Sequence, residues 1–174
     1  MQEIRKHLEC ERPFDELLED FLGEVFHVTK EQNWPNILSS NEVTPNPKEG
    51  EYDTTFGTTS YFRSKDCVCL FDYRNFYEES AQKFYGRCLP TSSLSDDCPI
   101  RIVFLRKNYY SDLISWREWE KDGAGTNVVP YIEAGFKGAI PLNYFYKSMV
   151  VTITEDKNSI AYILKKAQRG NKNG

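Results

Sequence analysis

Apolar side chains along the first part of the chain change from a helical to a strand-like period. Over residues 14–22 they recur at steps of three and four, which predicts a short amphipathic helix. Residues 24–29 (EVFHVT) bring β-branched and aromatic side chains together and predict a short strand. Residues 30–40 return to a helical pattern, with a proline early enough for a first turn. Residues 41–55 are rich in proline, glycine and polar side chains, so we expect a long surface loop there.

The remainder of the chain predicts mainly strands. The predicted strands cover 58–62, 68–73, 100–106, 128–133, 138–142 and 148–154. The predicted helices cover 76–84, 112–121 and 158–168, with irregular structure over 86–99 and a turn at 123–127. Strands and helices do not alternate regularly, which favours an antiparallel or mixed sheet. We therefore expect a single α+β domain over residues 1–164 and a flexible tail over 165–174.

Composition narrows the class of protein. The chain has 174 residues, enough for one domain with its own core, and a net charge of −4. That charge argues against a general binder of phosphate backbones, although a local basic groove remains compatible with it. Five unevenly spaced cysteines without a CxxC pair predict reduced thiols and no zinc site. No apolar run approaches the roughly 20 residues of a membrane span and no leader peptide is recognisable, so we expect a cytoplasmic protein without a membrane partner.

The chain contains two histidines, and they lie in different surroundings. His7 belongs to a charged segment, so we expect its side chain to be solvated. His27 lies between Phe26 and Val28 in the predicted strand, and Thr29 faces the same way as His27. A neutral imidazole beside a hydroxyl suits the binding of a sugar hydroxyl and a neighbouring amide. The alternative is a buried histidine whose hydrogen bond goes to a backbone carbonyl.

Residues 56–62 (FGTTSYF) are a second candidate element. A glycine followed by small residues lets a ligand approach the backbone, and Tyr61 offers a ring face. Tyr73 is a candidate for the opposite face of a bound flat heterocycle. The alternative is that both tyrosines belong to the core.

Glu133 is the third candidate. It ends the apolar stretch 128–133 (VVPYIE) just before a bend that contains Gly135. A carboxylate there suits a general base or the stabilisation of developing positive charge. The alternative is a structural ion pair with Lys137 or an arginine.

These three elements, taken in order, resemble the ADP-ribosyltransferase superfamily, in its diphtheria-toxin and poly-ADP-ribose-polymerase branch. That branch carries a His, a Tyr and a Glu on three separate strands, and residues 56–62 resemble its phenylalanine–glycine–x–glycine–x–tyrosine–phenylalanine segment. The resemblance covers about residues 25–140 and implies a split, mostly antiparallel sheet sandwich with flanking helices. Two departures from the polymerases are Val28, where they have glycine, and the basic stretch 63–65.

The resemblance implies a mono-ADP-ribosyltransferase that uses NAD as its substrate. His27 and Thr29 would hold the nicotinamide ribose, and the backbone of Val28 would bind the carboxamide. Tyr61, with Tyr73 as a candidate partner, would stack on the nicotinamide. Glu133 would bind the ribose 2′-hydroxyl and stabilise an oxocarbenium-like transition state.

The acceptor stays open at this point. Arg63, with Lys65 and Arg74, would meet the pyrophosphate of NAD or a nucleic-acid acceptor, or would form a solvated face. The resemblance extends to bacterial toxins and effectors that modify protein or nucleic acid, and such a protein would have an antitoxin or another neutralising partner. The alternatives are a catalytically silent domain that binds a nucleotide or a partner, and an enzyme similar to RNA 2′-phosphotransferases. A cysteine hydrolase using Cys67 or Cys88 lacks a recognisable nucleophile turn.

Overall fold

The computed structural model describes residues 1–45, 60–123 and 127–154. The strands are β1 (Gln2–Leu8), β2 (Val25–Lys30), β3 (Glu42–Val43), β4 (Cys67–Asp72), β5 (Ile100–Leu105), β6 (Leu113–Ser115), β7 (Glu133–Lys137), β8 (Ile140–Pro141) and β9 (Phe145–Ile153). The α-helices are α1 (Pro13–Phe21), α2 (Trp34–Ser40), α3 (Tyr61–Ser64), α4 (Glu79–Phe84) and α5 (Trp116–Lys121). Short 3₁₀ helices cover Glu31–Asn33, Tyr85–Arg87, Lys107–Asp112 and Leu142–Tyr144.

Seven strands form one mixed, mostly antiparallel sheet in the order β1-β9-β5-β2-β4-β7-β6. The pairing of β1 with β9 is parallel, whereas the other neighbouring strands of this sheet are antiparallel. Strands β3 and β8 form a separate antiparallel pair. The predicted α+β class with an antiparallel or mixed sheet is therefore confirmed.

Both faces of the sheet are covered around β5, whose six residues are all buried. On one face α1 packs Phe14, Leu17 and Phe21 into a cluster with alternate residues of the central strands. On the other face α2 contributes Trp34 and Ile37 to a second cluster. Because side chains of a strand alternate between faces, the buried apolar residues of β5 supply both clusters.

Three predicted elements are wrong at least in part. Within the strand predicted over 58–62, Tyr61 and Phe62 belong instead to a short helix, α3, over Tyr61–Ser64. The strand predicted over 128–133 is a turn, and Glu133 begins β7 instead of ending a strand. The helix predicted over 112–121 is confirmed over its second half as α5, but Asp112 ends a 3₁₀ helix and residues 113–115 form the short strand β6. Ser115 caps α5 by accepting a hydrogen bond from the Arg117 amide.

Strand β1 was not predicted, because its sequence is mostly polar. Its pairing with β9 is reinforced from β5 by Arg101, which is 2% exposed. The Arg101 guanidinium donates to Glu31 at 2.7 and 2.8 Å, to Glu3 of β1 at 2.9 Å and to the Ser148 hydroxyl at 3.1 Å.

Several predictions lie outside the described residues. They are the closing helix over 158–168, the tail over 165–174, the domain limit at residue 164 and most of the loop over 41–55. The first four residues of the 56–62 segment lie outside them too. Within the described ranges, every helix is too short or too polar to cross a membrane.

Candidate functional site

A pocket lies where strands β2 and β4 separate. The two strands pair at Val25–Asp72 and at Phe26–Phe71, and their register ends there. Beyond that point His27 Nδ1 donates a hydrogen bond to the backbone oxygen of Cys69 at 3.0 Å. Because a carbonyl oxygen accepts only, Nδ1 carries the hydrogen, and Nε2 of the neutral ring is an acceptor. The histidine therefore bridges the opening through its Nδ1 hydrogen.

Side chains from three strands, helix α3 and a loop line this pocket. They are His27, Val28, Ser60, Arg63, Cys69, Leu70, Phe71, Cys88 and Glu133. The cavity has a volume of about 60 Å³. At about 10–15 Å³ for a water molecule in the same measure, this is room for roughly four to six waters. The pocket therefore suits a small ring or part of a sugar, and the rest of a dinucleotide would lie outside it.

His27 and Glu133, which are distant in sequence, both line the pocket. Burial lowers the pKa of His27 below its ordinary value, and the hydrogen bond to Cys69 opposes this only partly. The ring is therefore neutral at pH 7. The structural alternative for His27 is confirmed, since its ring bonds to a backbone carbonyl, and the residue also lines the pocket.

Glu133 is held by the turn that precedes β7. Its Oε2 accepts a hydrogen bond from the Val129 amide at 2.6 Å, and its own amide donates to the Val129 oxygen at 3.1 Å. Burial raises the pKa of this carboxyl, while the Val129 amide and the charge of Arg87 act in the opposite direction. The alternative interpretation, an ion pair with Lys137, is not borne out, because the Lys137 ammonium donates to the Lys65 backbone oxygen at 2.6 Å.

Two neutral thiols complete the wall near Glu133. Burial raises the pKa of Cys69 to about 11 and that of Cys88 to about 12. The nearby Glu133 charge acts in the same direction on both thiols, and Ser60 Oγ lies 3.3 Å from Cys69 Sγ. Protonated thiols are poor nucleophiles, so the pocket does not support a cysteine hydrolase.

The two predicted stacking tyrosines lie outside the pocket lining. Tyr61 is 5% exposed, and its hydroxyl donates to Asp122 at 2.9 Å. Tyr73 is fully buried and stacks on Phe76, with ring centroids 4.8 Å apart. The aromatic side chain that does line the pocket is Phe71.

Of the other predicted contact residues, some line the pocket and some do not. Val28, to whose backbone the resemblance assigns the carboxamide, and Arg63, a candidate for the pyrophosphate or an acceptor, both line the pocket. The Thr29 hydroxyl instead accepts a hydrogen bond from Asn33 at 3.1 Å and lies beside the lining residues rather than among them. Of the other basic residues, Lys65 pairs with Asp122 at 2.7 Å and Arg74 with Asp72 at 2.6 Å.

Sequence reasoning did not assign five of the pocket residues and one nearby charge to this site. The residues are Ser60, Cys69, Leu70, Phe71 and Cys88, and the charge is that of Arg87. The sequence shows that Cys67, Cys69 and Phe71 have the spacing of side chains on one side of a strand, but it does not show that this side opens to a pocket.

Among the described residues, no three His, Cys, Asp or Glu side chains are grouped to hold a metal ion. Comparison of the chain with protein-family models, curated proteins and solved structures finds no match.

Proposed function

We propose that this chain is an NAD-dependent mono-ADP-ribosyltransferase that acts in the pocket between His27 and Glu133. One observation carries the proposal: the imidazole and the carboxylate that the resemblance assigns to the nicotinamide ribose line one small pocket. Nothing in their sequence positions requires this, since they belong to β2 and β7, with β4 between them.

The electrostatics of the pocket suit the transfer of a glycosyl group. In the reaction, the bond between ribose C1′ and the nicotinamide nitrogen breaks, and its electron pair neutralises the pyridinium ring, which leaves. Positive charge then develops on the ribose, and an acceptor nucleophile bonds to C1′ and releases a proton. A half-buried carboxylate stabilises such charge more strongly than one in water, because the surroundings screen it less.

The remaining lining residues take roles that fit their chemistry. Nε2 of His27 would accept a hydrogen bond from a ribose hydroxyl, and Arg63 would face the pyrophosphate. Phe71 would provide the apolar wall for the nicotinamide, in place of the two tyrosines. The neutral thiols of Cys69 and Cys88 would flank Glu133 without competing for C1′. Tyr61 would act indirectly, by fixing α3 through Asp122.

The test is release of nicotinamide from NAD by the purified full chain, alone and with protein, DNA or RNA as acceptor. We expect Glu133→Gln to lower the rate about 100-fold or more, because the amide keeps the shape and loses the charge. His27→Ala should weaken NAD binding, measured by thermal shift. Glu19→Gln, at an exposed position of α1, is the matched control and should retain full activity.

Two results would overturn the proposal. One is wild-type protein that neither releases nicotinamide nor shows a thermal shift with millimolar NAD, which would favour a silent binding domain. The other is nicotinamide release that Glu133→Gln leaves unchanged, which would remove Glu133 from the reaction.

A further inference from the structure

The turn before Glu133 contains a residue in an unfavourable backbone conformation. Tyr131 has a φ of 65°, in the left-handed region that favours glycine. For a bulky side chain this conformation costs about 1–2 kcal/mol. Such a conformation persists only when neighbouring contacts hold it.

Those contacts are aromatic and come from two different helices. The Tyr131 ring stacks on Phe84, the last residue of α4, with centroids 5.9 Å apart and an interplanar angle of 16°. The Tyr131 ring also contacts Trp116, the first residue of α5, with centroids 4.3 Å apart and an interplanar angle of 43°. Aromatic pairs of this kind contribute about 0.5–1.5 kcal/mol each beyond the area that they bury. Two of them are enough to offset the backbone cost.

The conformation of Tyr131 is coupled to the direction of the Glu133 side chain. Tyr131 is the middle residue between Val129 and Glu133, which exchange two hydrogen bonds across the turn. Both bonds need the chain to reverse at Tyr131. If this residue relaxed to a negative φ, the Val129 amide would move away from the carboxylate that it holds.

We propose that Tyr131 is a positioning residue: its ring, packed against both Phe84 and Trp116, holds the left-handed turn that directs Glu133 into the pocket. Its role in catalysis rests on the function proposed above, whereas its role in the turn does not. Tyr131 acts through Glu133, so it need not touch the substrate.

Three substitutions at this position distinguish the contribution of the ring from the cost of the backbone conformation. Tyr131→Phe keeps the ring and should behave as the wild type. Tyr131→Ala removes the ring and keeps the backbone cost, so the turn should open. Tyr131→Gly removes both the ring and the cost, so it should retain more of the turn than alanine does. Tyr77→Ala, at a tyrosine that is 72% exposed, is the matched control.

The first measurement does not need activity. The Val129 amide proton should titrate with Glu133 in NMR spectra of the full chain, and Glu133→Gln should remove that titration. We expect the amplitude to fall at least twofold in Tyr131→Ala, to be intermediate in Tyr131→Gly and to be unchanged in Tyr131→Phe and Tyr77→Ala. If Tyr131→Ala does not fold, Trp116→Leu removes one of the two ring contacts of Tyr131 and should reduce the amplitude in the same direction.

The second measurement is nicotinamide release. The kcat of Tyr131→Ala should fall about tenfold with KM within about twofold, and Tyr131→Phe should restore it. Full Val129 amplitude in Tyr131→Ala, or in Trp116→Leu if the alanine variant does not fold, would overturn the positioning role. A wild-type protein without NAD activity but with the expected amplitudes would overturn only the proposed function.

Discussion

Arg101 and Glu133 are both charged side chains withdrawn from water, but their surroundings differ. The Arg101 guanidinium is met by two carboxylates, a hydroxyl and the ring of Trp34, 4.4 Å away. Among the described residues, the Glu133 carboxylate accepts a hydrogen bond from one backbone amide and interacts with the more distant charge of Arg87. A buried charge that the protein's own groups compensate is typical of a structural role. A charge at a cavity with few such partners is typical of a binding site, where a ligand supplies the missing partner.

The largest effect should come from breaking the compensated charge. Glu31→Leu leaves the buried Arg101 without its bidentate partner, and we expect the free energy of unfolding to fall by about 3 kcal/mol. Urea unfolding measures this, with Glu19→Leu, on the exposed side of α1, as the control. A loss no larger than that of the control would show that Glu3 and Ser148 alone satisfy Arg101.

A smaller effect should come from the packing behind Glu133. A Cβ built on Gly135 of β7 would overlap the Phe62 ring of α3, so Gly135→Ala should force these elements apart. We expect the free energy of unfolding to fall by about 1–3 kcal/mol. Gly86→Ala is the matched control, because a Cβ there meets no atom within 4 Å. Equal stabilities of the two variants would contradict the tight fit of α3 on β7.

The smallest effect, and one of opposite sign, should come from neutralising the undercompensated charge. Burial raises the folded-state pKa of Glu133, so the folded protein holds that proton more tightly than the unfolded chain does. The resulting stability is present below the ordinary pKa of 4.5 and is lost as the pH rises through the raised value. Glu133→Gln should therefore be more stable than the wild type at pH 8, by less than about 1 kcal/mol.

Thermal unfolding of both proteins from pH 4 to pH 8 checks this prediction. Their difference in stability should disappear toward pH 4, where both side chains are neutral. A variant that is less stable than the wild type at pH 8 would place Glu133 in the same class as Arg101, as a charge that the fold itself compensates.

The sequence predicted well where an element's apolar pattern is continuous. The helix expected over 14–22 is α1 within one residue at either end, and the strand expected over 100–106 is β5. It predicted poorly where a short polar or aromatic stretch takes its conformation from its neighbours. Tyr61 and Phe62 are good strand residues in isolation, but they form α3 because Phe62 fits against the side-chain-free surface of Gly135.

The residues of the candidate site also differ in how well the sequence predicted them. Residue chemistry made His27 and Glu133 candidates, each beside a structural alternative, and the resemblance joined them into one site. It could not decide between the tyrosines and Phe71, because an aromatic side chain has the same local pattern in a core as in a pocket wall.

By itself the sequence determined the α+β class and the residues that can carry chemistry, since both follow from local pattern and side-chain type. Only the tertiary structure decided that these residues share a cavity. Phe26, Phe71 and Glu133 are neighbours in one ladder, and His27 would point to the opposite face of an unbroken sheet. The pairing of β2 with β4 ends after Phe26 and Phe71, and the opening lets His27 and Glu133 line the same space.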